Sequence, residues 1–185
     1  MKATFAITVA LTLSAALLLC PLAGCKQEQA PAPVKPQPQG PQPTLPKVNI
    51  TLGDVPLEVE VAGTSAEREK GYMFREEPKD SAMLFVWPNA DFRSFHMKNV
   101  SFDLDIAFID AGGQIFQIMR MEAFRIQRPN EPPSYLSIRP AKYALEAPAG
   151  WCQSHKVEVG TQVKIPPDVK GEPDAVPAVP ADKKK

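Results

Sequence analysis

The sequence has few of the residue types that most often build metal or covalent catalytic sites. Its 185 residues include only three cysteines and two histidines. Neither His96 nor His155 lies in a metal-binding pattern such as HExxH, and the chain has no CxxC pair. A GxSxG nucleophile motif is also absent. The sequence therefore predicts no metal site, no cofactor and no catalytic nucleophile.

The chain also lacks an excess of charge of either sign. Lys and Arg total 21 and Asp and Glu total 21, so the formal net charge is zero. Without a surplus of cations, nothing attracts the whole chain to nucleic acid or to an anionic surface. A chain of this length suits one domain with flanking segments. We expect a single domain and no nucleic-acid partner.

An apolar leader opens the sequence. Lys2 precedes an apolar run from Ala3 to Leu19, a layout typical of a signal peptide. The tetrapeptide Leu22-Ala23-Gly24-Cys25 then resembles the lipobox of bacterial lipoproteins, in which the cysteine receives the lipid. We therefore expect residues 1–24 to be a lipoprotein signal peptide. Acyl chains on Cys25 would anchor the rest of the chain in a membrane.

The alternative for this leader is an uncleaved membrane-spanning helix, since the apolar run is close to the required length. Pro21 and Gly24 would break its end, and no basic cluster follows as a stop signal. The residue after Cys25 is Lys26, not the aspartate associated with inner-membrane retention. This favours the cell envelope as the location, on an outer membrane and facing the periplasm.

The remaining cysteines exclude an internal disulfide. Cys20 would be removed with the leader and Cys25 would be acylated, so Cys152 has no partner within the mature chain. Export permits disulfides, but this domain has to be stabilised by its packed core. Cys152 itself is predicted to be a small buried side chain and not a nucleophile.

Prolines divide the chain into segments. Seven of the 21 prolines fall between Pro31 and Pro46, which predicts an extended, solvated linker over residues 25–46. A second segment, 166–185, combines prolines and alanines with three C-terminal lysines and is predicted to be disordered. Residues 47–165 between them are predicted to form the folded domain.

The folded segment has a mainly β pattern. Leu57–Val61 alternates between apolar and polar residues, and Ala82–Val86 is a short apolar run typical of a central strand. Two apolar segments, 104–109 and 114–119, flank Gly112-Gly113 and indicate a hairpin. A second hairpin is predicted around Gly160, between 157–159 and 162–165.

One short helix is expected after the first of these strands. Thr64 and Glu67 form a capping-box pattern, and Gly71 is positioned to end the helix in the left-handed conformation. The resulting fold class is mainly β: an antiparallel jelly-roll-like sandwich or barrel with one short helix, flanked by disordered Pro-rich segments.

Several ordered blocks of this segment resemble the bacterial and archaeal "domain of unknown function 192" family. The resemblance covers nearly all of residues 50–165 and implies a mainly β, jelly-roll-like fold. It implies no reaction, because none is established for the family. The blocks that carry it are Val59-Glu60-Val61-Ala62, Met73-Phe74-Arg75, Met83-Leu84-Phe85, Met97-Lys98-Asn99, Leu104–Asp110 and Tyr143-Ala144-Leu145-Glu146.

Asp105 is the clearest candidate for a polar site, because it interrupts an apolar strand. A buried carboxylate requires a cationic or hydrogen-bonding partner, and Arg75, Lys98 and Asn99 are the candidates. One interpretation is a structural ion pair that fixes strand register. The other is a pocket of Arg75, Lys98, Asn99 and Asp105 that binds a small anionic or sugar-like ligand.

Two further functions remain open. A hydrolase acting on envelope glycans or peptides could use Asp105 and Glu146, provided that the two carboxylates lie close together. A copper-binding protein would need His96 and Met97 to converge with another soft ligand. The hypothesis that we carry forward is a non-catalytic, lipid-anchored domain that binds a small polar ligand or an envelope protein.

Overall fold

A computed structural model of the chain describes residues 40–78, 81–123 and 133–175. These residues belong to one compact unit, Pro38–Lys185. The predicted signal peptide, Cys25 and the linker up to residue 39 lie outside the described residues, as do residues 176–185. Within the described ranges, no helix combines the length and the apolar character needed to cross a bilayer.

Strands make up most of the regular structure, together with two short helices. In chain order the elements are β1 (Lys47–Leu52), β2 (Val55–Ala62), α1 (Ser65–Lys70), β3 (Ala82–Asp91), β4 (Ser94–His96), β5 (Leu104–Ile109), β6 (Ile115–Met121), β7 (Ser134–Leu136), β8 (Ala141–Pro148), α2 (Trp151–Ser154) and β9 (Val163–Lys164).

Seven strands form one curled sheet in the order β6-β5-β8-β3-β2-β1-β9, and β4 pairs with β7 in a second, two-stranded sheet. This confirms the predicted mainly β fold. One pair differs from the antiparallel expectation: β2 and β3 run parallel, with Val59 opposite Ala82. The connection between them crosses over through α1, as a parallel pair requires. The four-residue helix α2 is a second addition to the prediction.

The central strands are buried on both faces of the large sheet. Ala82–Val86 of β3 is fully buried, which confirms its prediction as a central strand. Because successive side chains alternate, Phe85 joins one apolar cluster with Phe108, while Leu84 joins a second cluster with Ala107. The sheet therefore has apolar packing on each side, which explains why β3 and β5 read as continuous apolar runs.

One predicted hairpin is confirmed and the other is wrong. β5 and β6 pair across a turn in which Gly113 has a φ of 84°, a conformation that glycine adopts without strain. By contrast, 157–159 forms no strand: a turn covers 159–160, Gln162 forms an isolated bridge with Gln114, and β9 pairs with β1. A two-residue strand pairs wherever a free sheet edge is available, and here that edge belongs to β1.

The helix α1 begins with the predicted capping box. Thr64 Oγ1 accepts a hydrogen bond from Glu67 N, and the Glu67 carboxylate accepts one from Thr64 N. Gly71 follows the helix with φ 45° and ψ −131°, so it has the expected positive φ but lies outside the left-handed helical region. Arg68 of this helix is buried.

Parts of both Pro-rich segments pack against the domain. Leu45 is buried in the core, and Gln42 donates a hydrogen bond to the Gly71 carbonyl at 2.9 Å. At the other end, the predicted disorder from residue 166 is not what the structure shows for 166–175. Gly171 lies so close to Val86 that a Cβ would collide with its carbonyl oxygen. Glu172 N also donates to Gly63 O at 2.8 Å.

Candidate functional site

Asp105 is buried, but its partners are not the predicted ones. Arg120 lies opposite it on β6 and donates from Nε to Asp105 Oδ1 at 2.8 Å. Asp105 Oδ2 accepts hydrogen bonds from Gly150 N at 2.9 Å and Cys152 N at 3.3 Å. The carboxylate thus fixes the β5–β6 pair and the start of α2. The expectation that Arg75, Lys98 or Asn99 would satisfy it is wrong, because the cross-strand arginine is closer.

Arg75 forms a separate ion pair with Glu60. Its Nη1 and Nη2 donate to the two Glu60 carboxylate oxygens at 2.8 and 2.9 Å, and Leu45 N donates to the same carboxylate at 2.8 Å. Burial alone would raise the pKa of Glu60, but the Arg75 hydrogen bonds, the Leu45 N–H and the Arg75 charge lower it on balance. This pair holds residues 43–45 against β2, since Arg75 Nη2 also donates to Pro43 O.

Lys98 and Asn99 occupy an exposed turn after β4. Asn99 has a φ of 58°, and its carbonyl accepts a hydrogen bond from Phe74 N at 2.8 Å. This main-chain hydrogen bond holds the turn beside the segment that carries Arg75. The Arg75 side chain, however, pairs with Glu60, and the Asp105 side chain pairs with Arg120. The structure does not bring the four residues into one pocket. A ligand-binding role for any of them stays a prediction.

A cavity of about 420 Å³ lies instead between α1 and strands β3 and β4. Aromatic and polar side chains both supply its wall. The aromatic residues are Tyr72, Phe85, Trp87, Phe92 and Phe95, and the polar ones include Arg68, Arg93, His96, Glu146 and Asp174. Ligand sites in proteins typically have this size, although most have more strongly apolar walls.

Glu146 is the unusual member of this cavity. Its side chain is on β8 between Met83 of β3 and Ile106 of β5, and the residue is only 5% exposed. Among the described residues, nothing forms a hydrogen bond or an ion pair with its carboxyl group. Glu60 and Asp105, the other two buried carboxylates, each have an arginine and backbone N–H donors. Glu146 therefore stands apart as a buried acid that has no partner in the described part of the chain.

Burial without a partner changes the protonation of this side chain. Desolvation raises the pKa of Glu146 to about 8. At neutral pH the group is mostly a neutral carboxylic acid, which both donates and accepts one hydrogen bond. The nearby Tyr72 hydroxyl has a raised pKa as well, because of its burial and then the Glu146 and Glu60 charges. Glu146 and Tyr72 are thus polar but uncharged near pH 7.

The two carboxylates of the hydrolase hypothesis do not meet. Asp105 lies opposite Ala147, and Glu146 lies opposite Ile106, so the two acids are one position out of phase on neighbouring strands. Ala147 packs in one apolar cluster and Ile106 in the other, which places Asp105 and Glu146 on opposite faces of the sheet. They cannot flank a single scissile bond, and this form of the hydrolase hypothesis is wrong.

The exposure of individual side chains also tests the copper hypothesis and the predicted role of Cys152. Met97 is 1% exposed in the core, whereas the adjacent His96 is exposed, so the two side chains do not converge. Within the described ranges, no three His, Cys, Asp or Glu side chains group as a metal site. Cys152 is 4% exposed, and burial followed by the Asp105 charge raises its pKa to about 12. Its predicted role as a small buried side chain is confirmed.

A second cavity, of about 430 Å³, includes Asp105, Arg120 and Cys152 in its lining. It is less suited to a polar ligand, because the Asp105 carboxylate already has three hydrogen-bond donors from the protein. We therefore take the cavity at Glu146 as the candidate site. The sequence indicates Glu146 only as a possible catalytic acid. Whether the Glu146 carboxyl group has a partner depends on the side chains beside it on β3 and β5, which the sequence alone does not give.

Two proteins of Pyrococcus species are similar to this chain. A UPF0127 protein of Pyrococcus furiosus is 28% identical over 123 residues, covering 63% of this chain and 95% of that protein. A UPF0127 protein of Pyrococcus abyssi is 29% identical over 111 residues, covering 57% of this chain and 84% of that protein.

Two solved structures share the fold. A proposed transcription regulator from Sinorhizobium meliloti is 28% identical with a TM-score of 0.58, covering 66% of this chain and 96% of its own. A protein of unknown function from Novosphingobium aromaticivorans is 27% identical with a TM-score of 0.57, covering 65% and 86%. The model of the DUF192 family, described as "Uncharacterized ACR", matches residues 48–165. The chain therefore belongs to the DUF192 family.

Proposed function

We propose that this protein is a non-catalytic, lipid-anchored protein of the cell envelope whose β-domain binds a small polar ligand in the cavity at Glu146. The observation that carries the proposal is the Glu146 carboxyl group, which is buried in the cavity wall without a partner among the described residues. An unsatisfied buried polar group costs free energy. A ligand that supplies the missing hydrogen bonds offsets that cost.

The cavity wall limits the chemistry of this ligand. Aromatic rings favour a flat, partly apolar body, and the neutral Glu146 acid favours hydroxyl or amide groups that both donate and accept hydrogen bonds. A sugar ring meets both conditions, because its C–H face packs against aromatic rings and its hydroxyl groups pair with a carboxyl group. We therefore propose a sugar-like molecule of the envelope as the ligand to test first.

The anchor is supported by the sequence. Leu22-Ala23-Gly24-Cys25 has the lipobox pattern, and the prolines up to Pro46 give a spacer between Cys25 and the domain. Cells fed a labelled fatty acid should incorporate it into the parent protein, whereas Cys25→Ala should abolish labelling and Cys152→Ala should not. Equal labelling of the parent and Cys25→Ala would contradict the anchor.

A thermal-shift screen tests the ligand. Full-length protein purified in detergent would be heated with envelope sugars and peptidoglycan fragments. A ligand at a hundred times its dissociation constant adds about 2.7 kcal/mol of stability, which shifts Tm by several degrees. We expect one sugar to raise the Tm of the parent and of Glu158→Leu, an exposed control, but not that of Glu146→Leu. If no compound shifts the parent, or all three shift equally, the site is not at Glu146.

A further inference from the structure

Two arginines meet one carboxylate at the same cavity. Arg68 Nη2 donates to Asp174 Oδ1 at 2.7 Å, and Arg93 Nη1 lies 3.4 Å from Asp174 Oδ2. Both guanidinium groups also lie over the Trp87 ring, 5.4 Å and 4.3 Å from its centre. One carboxylate therefore bridges two guanidinium groups that lie over the same indole ring, and a carboxylate or phosphate from outside the chain could bridge them in the same way.

The framework holds the two guanidinium groups independently of Asp174. Arg68 Nη1 donates to the carbonyl oxygens of Gly63 and Val86, and Arg93 donates to those of Asn89 and Ala141. The arginine side chains are only 4% and 11% exposed. The geometry of the donors is thus preset, and little side-chain ordering remains to be lost when an anion binds.

The carboxylate itself is the loosely held member of the cluster. The Asp174 side chain is 58% exposed and belongs to residues 172–175, all of which are exposed. Water screens an ion pair with an exposed partner and weakens it. Burial lowers the pKa of Arg93 and the Arg68 charge lowers it further, while the Asp174 and Asp91 charges raise it. A neighbouring anion therefore stabilises the charged form of Arg93. An anionic ligand could replace Asp174 as the counter-ion of the two arginines.

We propose that Arg68 and Arg93 form a subsite for a ligand carboxylate or phosphate, and that Asp174 is its resident occupant, which the ligand anion displaces. Gly171 packs tightly on Val86, and Glu172 is held by Gly63 O and by Arg68 Nη2, which donates to Glu172 O at 2.8 Å. The part that moves away is therefore 173–175, which has to release the hydrogen bond from Ala175 N to Ser65 Oγ at 3.2 Å. This goes beyond the proposed function, because it gives the ligand an anionic group and gives the C-terminal segment control over access. It does not depend on Glu146.

Fluorescence of Trp87 tests the subsite directly. The sequence has two tryptophans, so full-length protein carrying Trp151→Phe reports on Trp87 alone. In that background, inorganic phosphate and acetate would be titrated into the parent, Asp174→Asn and the matched control Asp168→Asn, an exposed aspartate of the same segment. A far-ultraviolet circular dichroism spectrum and a Tm would confirm that each variant folds.

We expect Asp174→Asn to bind one of the anions at least about tenfold more tightly than the parent, and Asp168→Asn to match the parent. Tighter binding of phosphate assigns a phosphate group to the ligand, and tighter binding of acetate assigns a carboxylate. Adding Arg93→Gln to Asp174→Asn should remove the response. Equal affinities of Asp174→Asn and the parent, or no saturable response to either anion, would overturn the proposal whatever the sugar screen shows.

Discussion

Asp105 and Glu146 lie on neighbouring strands, yet their carboxyl groups project from opposite faces of the same sheet. Asp105 meets Arg120 and two backbone N–H groups, whereas Glu146 meets apolar neighbours and a cavity. One acid therefore organises the fold, and the other lines a cavity.

The protonation of Glu146 makes stability depend on pH. Its pKa is raised to about 8 in the folded protein from an ordinary value of 4.5. Between these values the folded state binds more protons than the unfolded state, so stability falls as pH rises from about 5 to 8. We expect urea midpoints to fall over this range for the parent and to stay flatter for Glu146→Gln. Parallel curves for the two proteins would mean that Glu146 is charged when folded.

The Arg75–Glu60 pair is predicted to be structural. Its side chains are 13% and 7% exposed, so Arg75→Gln leaves a buried carboxylate without its cation and should cost up to about 3 kcal/mol of unfolding free energy. Lys47→Gln, which breaks the exposed pair with Glu58, is the matched control and should leave the midpoint unchanged. Urea denaturation measures both. A similar small effect of the two substitutions would argue against a structural role for Arg75.

Loss of the Asp105 carboxylate should loosen α2. Asp105→Ala leaves the N–H groups of Gly150 and Cys152 without their acceptor and should destabilise the fold by about 1–3 kcal/mol. Because α2 carries the buried Cys152, its thiol should react faster with a maleimide. Mass spectrometry of the Cys152 peptide measures that rate. Ligand-induced shifts should survive, since Asp105 lies on the other face of the sheet from Glu146; their loss would place Asp105 in the site.

The close approach of Gly171 to Val86 should make the C-terminal segment sensitive to one methyl group. In Gly171→Ala the new Cβ would collide with the Val86 carbonyl, so residues 171–175 should detach and Tm should fall. Gly112→Ala, at an exposed turn without a backbone collision, is the control. Limited proteolysis should cleave the Gly171 variant faster within this segment. Equal cleavage of both variants would show that the segment is not held at Gly171.

The sequence predicted the elements whose signals are local. The alternation in Leu57–Val61, the apolar run Ala82–Val86 and the Thr64–Glu67 capping box each depend on a few adjacent residues, and each is present in the structure. The parallel pairing of β2 with β3 was missed, because alternation does not encode the direction of a neighbouring strand. The strand expected at 157–159 was also wrong, since the alternation Val157-Glu158-Val159 is too short to distinguish a strand from a loop.

Less of the candidate site could be predicted from the sequence, because its contacts join residues that are far apart in the chain. A signal for Arg120 was present: once the 104–109 and 114–119 hairpin is drawn, Arg120 falls opposite Asp105. The unpaired state of Glu146 depends on Met83 and Ile106, which come from two other strands. The contacts of Asp174 join residues more than 80 positions apart. No pattern of neighbouring residues contains that information.

The protonation of Glu146 and its response to a ligand can be measured directly at one atom, the carboxyl carbon of this side chain. Protein labelled with ¹³C at glutamate side-chain carboxyls would be titrated by NMR, with Glu146→Gln used to assign the resonance. We expect a midpoint near 8 and a change in this chemical shift when the sugar selected by the thermal-shift screen is added. A midpoint near 4.5, or a resonance that does not respond to the sugar, would contradict the claim that Glu146 is an unpaired acid in a ligand site.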